Sequence, residues 1–277
     1  MKIVSELIST RKELRQSLEF QKKILQIQQE IDDTSTKGAK GNCGCRLEIS
    51  RLQEDSLKTK QPITHFIDSS IFDSDMLVFA SKKVVRAFEE WKPDGGLRNL
   101  LNSVESGRID LPRIVDAILK EDVISIKNFA AELGTQPTLL FYVISILIQP
   151  CLEEIARKVN VSFSDRWWQP FCPVCGRTPT VARIRNRKRY LVCTFCGAEY
   201  LSDYFVCVHC GNKDPYTLKY LVPKEQSEFQ IDFCNKCKHY LKVIDETKLK
   251  ESIPKGLEDL LTLNLDLIAK DAGLVRD

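Results

Sequence analysis

Four Cys-x-x-Cys pairs, Cys172/Cys175, Cys193/Cys196, Cys207/Cys210 and Cys234/Cys237, fall within 66 consecutive residues and constrain this chain more than any other feature. Each pair sets two sulfurs on a tight turn where one ion can take both, and two pairs complete a tetrahedron. Eight cysteines in this pattern predict two closed four-sulfur sites. A disulfide framework fits poorly, because disulfide-dense chains are short and spread their cysteines. Thioredoxin-like redox pairs need a strand before and a helix after the motif, whereas these pairs alternate with strand-like segments.

Spacing also suggests which pairs share an ion. Seventeen residues separate Cys175 from Cys193 and 23 separate Cys210 from Cys234, enough in each case for a hairpin; only ten separate Cys196 from Cys207. Site one is therefore read as Cys172, Cys175, Cys193 and Cys196, and site two as Cys207, Cys210, Cys234 and Cys237. An interleaved, cross-braced arrangement is the alternative. The donor set suits zinc or a single iron and does not separate them. Segments of about 40 residues bury too little apolar surface to fold alone. Structural zinc supplies on the order of 10–16 kcal/mol, so metal is expected to be the core of each module. Glycine follows three of the pairs (Gly176, Gly197, Gly211) and allows a left-handed turn, but Lys238 follows the fourth and must accept that conformation or open the knuckle.

The chain changes character along its length. Up to about Asp165 the pattern is helical: Ile3, Val4, Leu7, Ile8, Leu14, Leu18, Leu25 and Ile31 form a 3.6-spaced stripe, and Thr34–Asn42 reads as a flexible break. A helix is expected after Asp73 as N-cap, stopped by Pro93 and a Gly95-Gly96 turn. Helices are also expected over Leu97–Ser106, Pro112–Lys120, Val123–Leu133 with Gly134 as C-cap, and Thr138–Asn160 with a kink at Pro150. Strands are expected at Val181–Arg185, Arg189–Val192, Glu199–Tyr204, Tyr216–Val222, Glu228–Phe233 and Tyr240–Ile244, and a helix at Leu257–Ala272. The fold class is thus α+β: an N-terminal α-helical bundle (1–166), two small zinc-ribbon-like metal modules (167–205 and 206–246), and a C-terminal helical tail (247–277).

The 277 residues are 43% hydrophobic and 29% charged with a net charge of +3, so no nucleic-acid or membrane partner follows from charge. Met1–Ile31 mixes charge and apolar residues, unlike a secretory signal. The apolar run Leu139–Ile148 is too short to span a bilayer, and a cytoplasmic location is expected. Between Cys172 and Lys242 there are 12 Lys/Arg against 6 Asp/Glu, but eight thiolates and two divalent ions leave the stretch at about +2. The run Arg183–Arg189 reads as a cationic hairpin tip, either a solvated loop or a patch for phosphate or an acidic partner. Cys43 and Cys45 read as an exposed thiol pair before a metal or redox site, Cys151 as a small core residue, and His209 and His239 as neighbours of ligands. Trp167-Trp168 is expected to pack the first module onto the bundle. No P-loop, G-x-S-x-G or H-E-x-x-H motif occurs, and closed sites leave no open coordination position, so no enzyme is expected.

The cysteine region resembles the formate dehydrogenase accessory protein family (FdhE). The resemblance rests on the apolar helix with Pro150, on Trp168 leading into Phe171-Cys-Pro-Val-Cys-Gly-Arg-Thr-Pro179, and on Arg189-Tyr-Leu-Val-Cys-Thr-Phe-Cys-Gly-Ala-Glu-Tyr200. Val206-Cys-Val-His-Cys-Gly211, Cys234-Asn-Lys-Cys-Lys-His-Tyr-Leu-Lys242 and Leu263-Asn-Leu-Asp-Leu-Ile-Ala-Lys-Asp-Ala-Gly273 complete it. It covers about Gln149–Gly273. The resemblance implies a cytoplasmic accessory protein with two rubredoxin-like modules whose eight cysteines bind iron. It also implies contact with the catalytic subunit of formate dehydrogenase, or a related molybdenum or tungsten enzyme, during maturation. A zinc-ribbon nucleic-acid binder and a rubredoxin-like electron carrier are the rival readings.

Overall fold

The computed structural model describes residues 15–37, 47–159, 165–224, 226–249, 253 and 257–276. The stripe from Ile3 to Leu14 and the Cys43/Cys45 pair lie outside them. Two compact units result: Met1–Leu47 with Thr64–Glu154, and Glu48–Ile63 with Ile155–Asp277.

The first unit is helical. Helix α1 (Arg15–Lys37) continues through Thr34–Lys37, where a break was expected. It packs on α3 (Ser74–Trp91), the intervening α2 (Ile49–Thr59) belonging to the second unit. Phe20 stacks on Trp91 at 4.2 Å and meets Phe88 edge-on at 4.8 Å, while Lys23–Glu90 and Lys83–Glu30 pair along the rim. Asp73 caps α3 as expected, its carboxylate accepting from the Met76 N–H. The Gly95-Gly96 turn is a correction. Both glycines lie in the first turn of α4 (Gly95–Glu105), which Asp94 caps through the Leu97 N–H. Gly96 is there for closeness: a Cβ on it would come within 2.4 Å of the Thr135 Cβ. α5 (Leu111–Leu119), α6 (Val123–Leu133, closed by left-handed Gly134) and α7 (Pro137–Lys158) complete the unit's helices. Lys120, after α5, donates to the Thr64, His65 and Ile67 carbonyls at 2.7–2.8 Å and so gathers the 3₁₀ turn Ile63–Phe66.

Helix α7 runs through Pro150. By length and composition it could cross a membrane, but 67% of its apolar window is buried inside the fold, which accounts for its apolar surface as a core helix. Cys151 is buried there, as expected of a core residue, but is disulfide-bonded rather than a plain thiol.

The second unit is built on one mixed six-stranded sheet in the order β3-β2-β1-β6-β5-β4. Its strands are β1 (Val181–Arg185), β2 (Lys188–Val192), β3 (Glu199–Ser202), β4 (Leu218–Leu221), β5 (Phe229–Cys234) and β6 (Tyr240–Asp245). Each half repeats one plan: a hairpin between two knuckles, then a third strand laid beside the second. The halves join head to tail, β1 pairing parallel with β6 from Val181↔Lys242 to Ile184↔Asp245. The β1–β2 hairpin turns on Asn186 and Arg187, both left-handed (φ 49° and 59°), as a two-residue turn between right-twisted strands demands.

Helices α8 (Glu258–Leu261) and α9 (Leu263–Asp271) follow the sheet. Leu265 and Ala269 of α9 pack with Ile231, Tyr240 and Leu274. Buried Lys242 holds the carboxylates of Asp259 (2.6 Å) and Asp266 (2.9 Å), both shared with Arg276. Tyr240 donates to Asp266 at 2.7 Å.

Candidate metal centres

The four knuckles are one backbone design used four times. After each first cysteine, a carbonyl accepts from the residue four positions on: Cys172 from Gly176, Cys193 from Gly197, Cys207 from Gly211 and Cys234 from Lys238, at 2.8–2.9 Å. The first cysteine's N–H donates in turn to the carbonyl five positions on, at Arg177, Ala198, Asn212 and His239. Closing that loop requires a left-handed residue. Gly176, Gly197 and Gly211 supply it at φ 68–80°, and Lys238 takes it at φ 64°. Lys238 is held in place by the tail, its carbonyl accepting from the Val275 N–H at 3.0 Å. The first knuckle is also pinned by the segment after α2: Pro173 O accepts from Ile63 N at 2.9 Å, and the Pro62 ring sits over Gly176.

The folded strands then bring the pairs together in sequence order, not interleaved. Cys172, Cys175, Cys193 and Cys196 form one group and Cys207, Cys210, Cys234 and Cys237 the other, all sulfurs of a group lying within 4.8 Å of one another. Sulfur–sulfur separations within the groups include 3.5 Å (Cys172–Cys196 and Cys175–Cys193), 3.6 Å (Cys207–Cys237) and 3.8 Å (Cys210–Cys234). A tetrahedron with metal–sulfur bonds of about 2.3 Å has edges of about 3.8 Å, whereas a disulfide is about 2.05 Å. The donor sets therefore fit a four-sulfur metal ion, and each group could hold one.

The groups differ in surroundings. All four sulfur residues of the first are buried, whereas Cys210 is exposed and Cys237 half-buried in the second. In the first, hydrogen bonds from Cys172, Cys175 and Cys196 hold the Cys193 thiol well below the usual range, while burial pushes Cys175 and Cys196 well above it. Burial, and then the sulfur charges, also push the hydroxyl of buried Tyr200 well up. In the second, burial pulls Cys234 upward, but the N–H groups of Cys237 and Lys236 and the Asn212 amide (3.3 Å) outweigh it and bring the thiol to about 7. Burial takes Cys237 to about 12. Backbone donors aimed at sulfur are the usual means of stabilising thiolate ligands.

Other residues singled out in the sequence find plainer roles. His209 and His239 stack on each other at 4.6 Å beside the second group, whose four sulfurs are complete without them. Trp167 is buried and donates to the Phe171 carbonyl at 2.7 Å, bracing the approach to the first knuckle, while Trp168 is exposed. The cationic tip is largely a correction. Arg183 is buried between Glu246 (2.7 Å) and Glu258 (2.5 Å). Arg185 pairs with Glu199 and Glu246. Arg189 is buried against Asp232 and the carbonyls of Asp203 and Val206. Of the run's basic residues, only Arg187 and Lys188 stand exposed at the turn. Asn212 and the His209–His239 stack were not legible as a surround for the second group, since only the fold brings them to it.

Two family models match the second unit: "FdhE, central domain" over residues 171–202 and "FdhE, C-terminal domain" over residues 205–277. A protein named "Protein FdhE homolog" from Aquifex aeolicus (strain VF5) is 31% identical over 167 residues, 58% of either chain. Another of that name from Stutzerimonas stutzeri (strain A1501) is 33% identical over 120 residues, 40% of this chain and 38% of the relative. The chain thus spans about half the length of the curated relatives it matches. The crystal structure of the FdhE protein from Pseudomonas aeruginosa superposes with a TM-score of 0.58 at 19% identity, covering 95% of this chain and 87% of that one, and so shares its fold.

Proposed function

We propose, on the premise that this chain belongs to the FdhE family through residues 171–202 and 205–277, that it is an accessory factor in the maturation of formate dehydrogenase or a related molybdenum or tungsten enzyme. It acts by binding the catalytic subunit, in the cytoplasm, and performs no catalytic step of its own. The observation that supports this best is the pair of preformed four-sulfur groups within one sheet. Cys172, Cys175, Cys193 and Cys196 would hold one ion and Cys207, Cys210, Cys234 and Cys237 the other, iron by family likeness or zinc by donor chemistry. Four protein sulfurs fill a tetrahedral ion, so the metal supplies folding free energy, and one-electron chemistry if it is iron. The protein's own residues then do the recognising. The nucleic-acid reading loses its footing, because Arg183, Arg185 and Arg189 are spent on internal carboxylates.

The test is co-purification of metal-loaded protein with a formate dehydrogenase catalytic subunit under reducing conditions, with metal analysis of the same sample. Expected are a stable complex and two ions per chain. No complex, or a chain that carries fewer than two ions while fully folded, overturns the reading.

A further inference from the structure

We propose that the outer edge of β4, with the cavity beside it, docks an extended acidic and apolar segment of a partner protein as a seventh strand parallel to β4. The chain's own internal repeat carries the argument. β1 and β4 hold the same place in their halves, each the first strand of a hairpin between two knuckles. The far edge of β1 takes a parallel strand, β6. The equivalent edge of β4 takes none among the described residues. An edge of this kind is a template for an added strand, with main-chain bonds giving affinity and alternate side chains giving specificity.

The surroundings of that edge are built for contact. Tyr220 is 68% exposed and Tyr216 85%, with Leu221 and Val222 exposed beside them. A cavity of about 440 Å³ opens on the sheet face next to β4, between Leu218 and Tyr220 on one side and the crossing segment Tyr204–Phe205 on the other. Phe205 is 66% exposed at its mouth, and the Arg189–Asp232 pair (3.3 Å) forms a neutral polar floor. Every second side chain of an added strand lies on the same sheet face as this cavity, beside Leu218 and Tyr220, where an aromatic or branched residue extends the apolar rim.

Charge selects the occupant. Lys213, Lys219 and Lys224 are exposed along the strand and its flanks, while Asp214 is engaged by Lys236. An exposed edge lysine deters indiscriminate strand pairing; a strand bearing Asp or Glu is the one it admits. The surface rests on the accessory-factor reading only for the name of its natural partner.

The experiment uses the metal-loaded full chain, isotope-labelled for NMR, and a synthetic peptide of about six residues alternating Val, Leu and Phe with Asp or Glu. Saturable shifts confined to Leu218–Val222, Tyr204–Phe205 and the cavity floor are expected. Affinity should fall roughly tenfold in about 0.5 M salt, where screening is nearly complete. Lys219→Glu and Tyr220→Ser, both at exposed positions that leave the fold intact, should each weaken binding several-fold. A peptide methylated on alternate backbone nitrogens should not bind. Equal binding of a Lys-bearing or methylated peptide, shifts elsewhere, or the same shifts on raising protein concentration alone (pairing of a second copy) each overturn the proposal. Undiminished capture of a formate dehydrogenase catalytic subunit by Lys219→Glu and Tyr220→Ser removes this surface while leaving the accessory role standing. Failure of the unmodified protein to capture that subunit, with peptide binding intact, does the reverse.

Discussion

Arg183 lies in the middle of what reads as a solvated basic run, yet its side chain is only 6% exposed and faces Glu258 at 0%. Its two terminal nitrogens reach Glu246 at 2.7 Å, Glu258 at 2.5 Å and the Ile253 carbonyl at 3.0 Å. Arg183→Ala therefore strands a buried carboxylate and a carbonyl at once. Removing one partner of a buried pair costs about 3–5 kcal/mol, because the other charge remains desolvated. At about 2–4 °C per kcal/mol for a domain of this size, the melting temperature should fall by roughly 10 °C. Arg187→Ala, at the exposed turn of the same run, should stay within about 0.5 kcal/mol. The double change Arg183→Met with Glu258→Leu should recover most of the loss, since replacing a whole buried pair with apolar side chains is often neutral. Thermal unfolding of metal-loaded protein, with hydrogen exchange read on β1 and β6, measures all three. If Arg183→Ala and Arg187→Ala behave alike, the buried ion cluster contributes nothing and the run is a solvated tip after all.

Cys172→Ala should lower bound metal by one ion per chain, and through the β1–β6 seam it should also weaken hydrogen-exchange protection in β5 and β6, in the other half. Protection lost only in β1–β3 would show that the halves stand apart. Burial pulls Asp259 upward, but Lys242 and Arg276 hold its pKa below the usual carboxylate value. Its contribution is therefore complete above about pH 4 and lost as pH falls through the lower folded value; acid titration followed by exchange in α9 should show this step, and Asp259→Asn should abolish it. Gly96→Ala places a methyl 2.4 Å from the Thr135 Cβ and 2.8 Å from the Gly134 backbone. It should destabilise the helical unit by about 1–3 kcal/mol in thermal unfolding without changing metal content.

What could be read from sequence was local. The knuckles, the six strands and most helices carry their signals within a few residues: paired cysteines, alternation, Asp73 before a helix, Gly134 after one. Helix α2 is harder to read, since the residues it buries are Gln53 and Ser56 while its few apolar residues, Ile49, Leu52 and Leu57, are only half-buried. The basic run was misread because its partners Asp232, Glu246 and Glu258 lie 43 to 75 residues away. The parallel join of β1 to β6 was invisible for the same reason: no turn announces a pairing between segments so far apart, and only the halves' shared plan hinted that they were related.

That join sets an order of events on the ribosome. β1, β2 and their two knuckles are synthesised before β6, so the first half precedes the neighbour that the inner border of β1 needs. Until β6 has been made and laid beside β1, the newborn chain displays a bare ladder of amide and carbonyl groups that any passing strand can grasp. If each half folds on its own ion, as proposed above, scarcity of metal late in translation leaves that border bare. A chain stalled at that stage is half a sheet with a sticky margin, and a cell short of iron or zinc should be found degrading it.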